Sequence, residues 1–201
     1  MKKLIYAAVV VIGLGVQPAI PAHSATTTLT FVADIWVDNW YALYVNGKKV
    51  AEDTTPFKTE KSFNADSISF TATYPFTVGI EARDYVENDS GLEYIGKPNQ
   101  QIGDGGLVLQ IHEKKSGLFV GGTDSTWKSK VIFSASLNEE CVKSTDPLRD
   151  CTYSKNQPPT SWSLKSYNAT SWKNATEYSE AAVGVKGGYK EKIWDSRAHL
   201  I

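Results

Sequence analysis

Residues 31–50, FVADIWVDNWYALYVNGKKV, carry two apolar alternating runs separated by a short polar break. Phe31, Ala33 and Ile35 share one face of a period-2 pattern, and Tyr41, Leu43 and Val45 share one face of the next, as half-buried strands do. Asn46-Gly47 accommodates the positive φ angles of a two-residue hairpin turn, so the chain is expected to reverse into Lys48 to Val50. Residues 51–64 are polar, contain Pro56, and read as a surface connection. Alternation resumes over 67–74. Phe76, Val78, Ile80 and Ala82, with Thr77, Gly79, Glu81 and Arg83 facing the other way, then predict a central strand. Leu107, Leu109 and Ile111 predict another, with Leu118 and Val120 in its hairpin partner, and a further strand is expected over 127–133. Between them, residues 84–106 have no sustained period and are rich in Asn, Asp and Gly; loops this long inside a compact domain are often functional. Residues 167–178 are expected to include a short helix, with Ser171 as N-cap and Trp172 and Ala175 at helical spacing. Residues 192–201 read as a strand. Many short strands with turn signals between them predict an all-β fold, an antiparallel β-sandwich of jelly-roll or Greek-key type with at most one or two short helices.

The first residues follow a different pattern. Met1-Lys2-Lys3 is a positive start, 4–16 an apolar run, and Pro18, Pro21 and the small residues of 22–25 complete the layout of a cleavable secretory signal. The apolar run is shorter than the roughly 20 residues that span a bilayer, nothing later approaches that length, and no cysteine stands at the cleavage region. The expected organisation is a signal peptide over 1–24 and a single β-sandwich domain over 25–201, secreted or extracytoplasmic (periplasmic or cell-surface in a bacterium), with no membrane insertion after cleavage. The formal charge of −1 moves to about −3 when Lys2 and Lys3 leave, and no basic cluster stands out, so nucleic acid is not an expected partner. In an exported chain the two cysteines, Cys141 and Cys151, are expected to pair and close the loop between them. The apolar end Ala198-His199-Leu200-Ile201 suggests an edge strand left without its neighbour or a C-terminally truncated sequence, and hence self-association through an unpaired C-terminal strand.

Catalytic chemistry finds little support. After signal removal only His112 and His199 remain, too few for a three-histidine zinc site, and His112 reads as a solvent-side strand residue. There is no nucleophile elbow, His-Glu-x-x-His helix or phosphate loop, and Gly103-Asp104-Gly105-Gly106 leads into a strand, so it reads as a turn. No pair of carboxylates is singled out for glycoside hydrolysis. Asp84, Glu87, Asp89 and Glu93 crowd one loop, a set of hard oxygens suited to calcium though without EF-hand spacing. The aromatic residues are the stronger lead. Trp36 and Trp40 flank the corner Val37-Asp38-Asn39, and Tyr94 lies in the long loop. A flat ring beside Asp and Asn suits the apolar face and hydroxyl rim of a sugar. Trp40 is the expected platform, with Asn39, Asp38, Trp36 and Tyr94 as further ligand-binding candidates; Trp127, Trp172 and Trp194 are assigned to the core.

Three stretches carry a family resemblance: Ala33-Asp34 followed by Leu43-Tyr44-Val45-Asn46-Gly47; Thr123-Asp124-Ser125-Thr126-Trp127-Lys128; and the segment from Trp162 through Tyr167 and Trp172 to Ala175. In this order they resemble the galactose-binding-like β-sandwich modules attached to secreted glycosidases, notably the α-L-rhamnosidase type. The chain departs from that pattern at Asn168 and Ala169, where the family usually has acidic residues, and nothing matches a catalytic barrel. The resemblance implies a secreted, non-catalytic recognition module whose partner is carbohydrate or a cell-surface glycan. The alternatives are an accessory domain or fragment of a glycoside hydrolase, or an extracytoplasmic structural or metal-binding surface protein.

Overall fold

The computed structural model describes residues 8–13, 27–56 and 63–201. Its strands are β1 (Ala8–Gly13), β2 (Leu29–Asp38), β3 (Trp40–Val45), β4 (Lys48–Glu52), β5 (Phe63–Ala72), β6 (Thr77–Arg83), β7 (Leu92–Glu93), β8 (Gln101–Ile102), β9 (Gly106–Glu113), β10 (Phe119–Gly122), β11 (Lys128–Val131), β12 (Phe133–Ala135), β13 (Tyr153–Lys155) and β14 (Lys173–Asn174). They form a six-stranded sheet in the order β14-β11-β1-β6-β3-β4, a four-stranded sheet in the order β10-β9-β2-β5, and two small ribbons, β12-β13 and β7-β8. All pairings are antiparallel. Among the described residues there are two short α-helices, α1 (Pro147–Asp150) and α2 (Glu180–Val183), and the all-β sandwich predicted from the alternation is the fold.

The two large sheets enclose one core. Phe31, Ala33, Ile35 and Val37 of β2, Leu43 and Val45 of β3, Val78 and Ile80 of β6, and Leu107, Leu109 and Ile111 of β9 meet there with Phe70, Phe76 and Trp127. The Asn-Gly turn behaves as its chemistry dictates: Asn46 and Gly47 have φ of 51° and 83°, and Asn46 Oδ1 accepts the Thr77 backbone N–H, tying the hairpin to the start of β6. β6 is interior to its sheet, as expected. β5 begins four residues before the alternation predicted over 67–74, because Asp66, polar in the pattern, is satisfied inside the strand by the Tyr41 hydroxyl at 2.7 Å.

The second half of the chain covers the outer faces of the sandwich. Ile132, Trp162 and Trp172 pack with Tyr44 outside the six-stranded sheet, while Val183, Tyr189 and Leu200 pack on Trp36 and Val108 outside the four-stranded one. This corrects two expectations. No helix forms over 167–178; the short helix lies downstream at α2, where the Ser179 side chain accepts the Ala182 N–H and Gly184 closes the end at φ 70°. Residues 192–201 do not form a regular strand. Leu200 bridges Tyr178, and Ile201 exchanges two backbone hydrogen bonds with Leu107, so the apolar end is paired and Leu200 is 4% exposed. The expected unpaired C-terminal strand is therefore absent from these positions.

Cys141 and Cys151 form the disulfide, with Cα atoms 5.3 Å apart. β1 falls within the segment that carries the secretory-signal pattern, and the expected cleavage positions lie outside the described residues.

Candidate functional site

One end of the sandwich gathers the acidic side chains. β2 ends at Asp38, the chain turns through Asn39 into β3, β6 ends one residue before Asp84, β7 supplies Glu93, and Asp104 lies between β8 and β9. Each position follows from strand length: β2 and β9 are in register through Asp38 opposite Gly106, and Gly105 passes so close that a Cβ there would sit 3.4 Å from the Asp38 carbonyl oxygen. The corner is held by Asn39, whose N–H donates to the Arg83 carbonyl and whose Oδ1 accepts the Tyr85 N–H at 2.6 Å.

Asp38, Asp84 and Glu93 are 3%, 5% and 2% exposed. Asp38 Oδ2 and both carboxylate oxygens of Asp84 are buried without a hydrogen-bond partner. Buried charge normally finds a partner or is neutralised, since desolvation alone is costly. Among the described residues Lys186 reaches the cluster, 3.7 Å from Asp38 Oδ2 and 3.2 Å from Asp104 Oδ1, with Glu93 also acting on its charge. Burial pushes Asp38 up to about 7; Lys186 opposes this, and Asp104 and Glu93 add to it. Burial also raises Asp84 well above the carboxylate range, with repulsion from Asp38, Glu93 and Asp104 acting in the same direction. Although partial burial works against its charge, Lys186 is held above the ordinary lysine range by Asp38 and Asp104. Hard oxygens with net negative charge and unmet lone pairs are what a divalent cation such as calcium coordinates. Among the described residues no three of them already converge as a finished ligand set, so a cation would have to draw these side chains inward.

The loop that brings Glu93 here is braced from behind. Leu92 packs against the Cys141–Cys151 disulfide with Ile95 and Ile102, and Gln100 Nε2 donates to the Val142 and Ser144 carbonyls. The loop of 84–106 is thus an ordered shelf.

Beside the acidic cluster, Trp40 opens β3 half-buried, with the Arg83 guanidinium 5.8 Å from its ring centre. It lines an open depression of about 480 Å³ with Glu52, Asp53, Thr54 and Pro56. Glu52 is ion-paired with Lys49, and Asp53 Oδ1 accepts the Thr55 N–H.

The candidates from the sequence therefore divide. Trp40 sits at a depression. Trp36, four residues earlier, is 0% exposed and donates its Nε1–H to the Gly187 carbonyl, so it has no face to offer a ligand and belongs to the packing under α2. Asn39, 1% exposed, builds the corner. Asp38 joins the carboxylate cluster. Tyr94 is half-buried in the turn to β8, its carbonyl accepting the Lys97 N–H, and does not line the Trp40 depression. Of the four carboxylates proposed for calcium, Asp84 and Glu93 enter the cluster, Glu87 is exposed, and Asp89 pairs with Lys155 at 3.1 Å. Asp104, read only as part of a turn, and Lys186 were missed. The glycines around Asp104 were a usable signal of close approach, whereas nothing local marks Lys186.

No known family pattern matches the chain, and no curated protein matches it. Solved structures to which it is similar include a lectin from Pleurotus ostreatus in complex with GalNAc, at 14% identity and a TM-score of 0.45, covering 87% of this chain and 38% of the lectin. They also include Streptomyces avermitilis α-L-rhamnosidase complexed with L-rhamnose, at 12% identity and a TM-score of 0.46, covering 85% of this chain and 12% of that one. A PA14 sugar-binding domain from an RTX adhesin is similar over 48% of this chain and 45% of its own, at 21% identity and a TM-score of 0.29. The chain thus spans less than half the length of each of these proteins.

Proposed function

We propose that this protein is an exported, non-catalytic recognition module that binds carbohydrate at the Trp40 corner, with a divalent cation, calcium by its chemistry, held in the adjoining carboxylate cluster. The observation that carries the reading is the half-buried Trp40 ring at the edge of an open depression walled by polar groups. Stacking on the ring accounts for the apolar face of a sugar, and Glu52, Asp53 and Thr54 offer polar groups to its hydroxyls. Binding is favoured over turnover because Glu52 and Asp53 are each engaged by a neighbour, Lys49 and Thr55, instead of flanking a cleft as an acid and a base. Asp38, Asp84, Glu93 and Asp104 would supply the cation's oxygen ligands and, once neutralised, keep the Asp38-Asn39 corner in place beneath Trp40.

Glycan-array binding by the exported chain tests the reading. The expected result is binding to a defined glycan class, lost in Trp40→Ala at an almost unchanged melting temperature, and weakened by a chelator and by Asp84→Asn. Equal binding by the wild type and Trp40→Ala would overturn the platform. Binding and stability indifferent to chelator and to added calcium would overturn the cation. The N-terminal sequence of exported protein should begin near Ala25.

A further inference from the structure

β1 occupies an unusual place. The segment Ala8–Gly13, AVVVIG, lies in the middle of the six-stranded sheet and pairs antiparallel with β6 on one side and β11 on the other. Its register is continuous on both flanks: residues 9–13 lie opposite Glu81, Ile80, Gly79, Val78 and Thr77, and residues 8–11 opposite Val131, Lys130, Ser129 and Lys128. Yet this segment is the apolar part of a stretch laid out as a cleavable secretory signal. When that signal leaves, the sheet loses an interior strand, not an edge.

The two flanks cannot simply close the gap. β6 and β11 are both antiparallel to β1, so they run parallel to each other across two strand spacings, about 10 Å. β6 is fixed by Val78 and Ile80, both 0% exposed in the core. β11 is fixed by Trp127 just before it, which is 1% exposed and donates its Nε1–H to the Gly122 carbonyl, and by its pairing with β14. Two rows of backbone donors and acceptors would face an empty slot, and unpaired backbone groups of this kind recruit a strand.

We propose that the processed protein presents the slot between β6 and β11 as an acceptor for an extended strand from a second polypeptide, inserted antiparallel to both flanks. This rests on the reading that the chain is exported and loses residues 1–24. The flanks specify the strand's chemistry. Positions opposite Val78 and Ile80 must be apolar because those residues belong to the core, whereas positions opposite Glu81 and Lys130 and opposite Lys128 meet charged neighbours and accept polar side chains. The partner is therefore a segment of about six residues alternating apolar and polar, or wholly apolar as AVVVIG is; main-chain pairing supplies affinity and alternate side chains supply selectivity.

The test uses exported protein whose intact mass shows where it begins. With residues 1–24 absent, a fluorophore-labelled AVVVIG peptide carrying terminal lysines for solubility should bind saturably, raise the melting temperature, and slow amide exchange in residues 77–83 and 128–131. A peptide with V10D and I12D should bind at least tenfold more weakly, and one keeping Val10 and Ile12 with threonine at positions 9 and 11 should bind comparably. No saturable binding to processed protein overturns the proposal, as does protection, before any peptide is added to monomeric protein, of those amides of 77–83 that point away from β3, since the slot then closes on itself. Protection that appears only with concentration-dependent dimerisation assigns the slot to a second copy and overturns the partner. An exported chain that retains residues 8–13 overturns both the signal reading and the slot, while processed protein that ignores the peptide overturns the slot alone.

Discussion

Asp38 and Asp84 carry the sharpest consequences at the scale of single residues. Both are held in the native state with a raised tendency to keep their protons, Asp38 titrating at about 7 against an ordinary 3.8. The folded state then binds more protons than the unfolded one, so in metal-free protein the stability contributed here is greatest below about pH 4 and falls as pH rises toward 7. A calcium-loaded site has the opposite dependence, because ligation needs ionised carboxylates. Melting curves in chelator between pH 4 and pH 7.5 should show a downward slope that millimolar calcium flattens or reverses. In Asp84→Asn the metal-free melting temperature at neutral pH should rise and the response to calcium should shrink; a fall in melting temperature with calcium sensitivity intact would contradict the assignment. Trp36 and Trp40 make the same point about environment. They flank one corner, and the segment carrying Val183, Gly187 and Tyr189, distant in sequence, buries the first ring while the second stays half-buried.

Among the elements, the disulfide and the loop it braces act together. Closing a loop of 10 residues contributes about 2 to 3 kcal/mol through the unfolded chain. Thiol titration of unfolded, non-reduced protein should find no reactive group. The Cys141→Ser, Cys151→Ser double variant should unfold at lower denaturant by an amount of that order, and amide exchange should quicken over 92–102, where Leu92, Ile95 and Ile102 lean on the bridge. Trp127 belongs to the main core and Trp172 to the smaller cluster outside the six-stranded sheet. Trp127→Ala should cost about 3 to 5 kcal/mol, with Trp172→Ala at or below the lower end of that range, checked by denaturant unfolding. The strands were legible because alternation marks the core-facing side of β2, β3, β6 and β9; that Trp36, Ala42, Thr77 and Val108 on their other faces are buried as well is decided by what packs there. The short helix lies eight residues downstream of its expected place, capped by Ser179 and not by Ser171. The spacing of Trp172 and Ala175 imitates a helical face, but Trp172 packs against Tyr167 in a run of turns, and the capping residue that finds its N–H is Ser179.

On the scale of the whole molecule, two sheets share a core and the second half of the chain seals both outer faces, so the outer surfaces differ in what they present. Of the three glycosylation sequons, Asn168 is exposed, Asn88 is half-buried with Oδ1 accepting the Ser90 N–H, and Asn174 is engaged by Lys128 within β14. A eukaryotic secretory host should modify Asn168 in preference to the other two, as peptide mapping would show. Fold class, the Asn-Gly hairpin, the disulfide and the central place of β6 were all readable along the chain, because period, turn conformation and thiol pairing are local or nearly local properties. The acidic cluster was only half readable. Its members come from the ends of β2 and β6, from β7 and from the turn between β8 and β9, so sequence neighbours such as Glu87 and Asp89 are carried away while Asp38 and Asp104 are brought in. The paired C-terminus, the burial of Trp36 and the seating of Ala8–Gly13 between β6 and β11 likewise depend on which strand ends meet and which faces are covered, and such long-range contacts leave no period in the residues that make them.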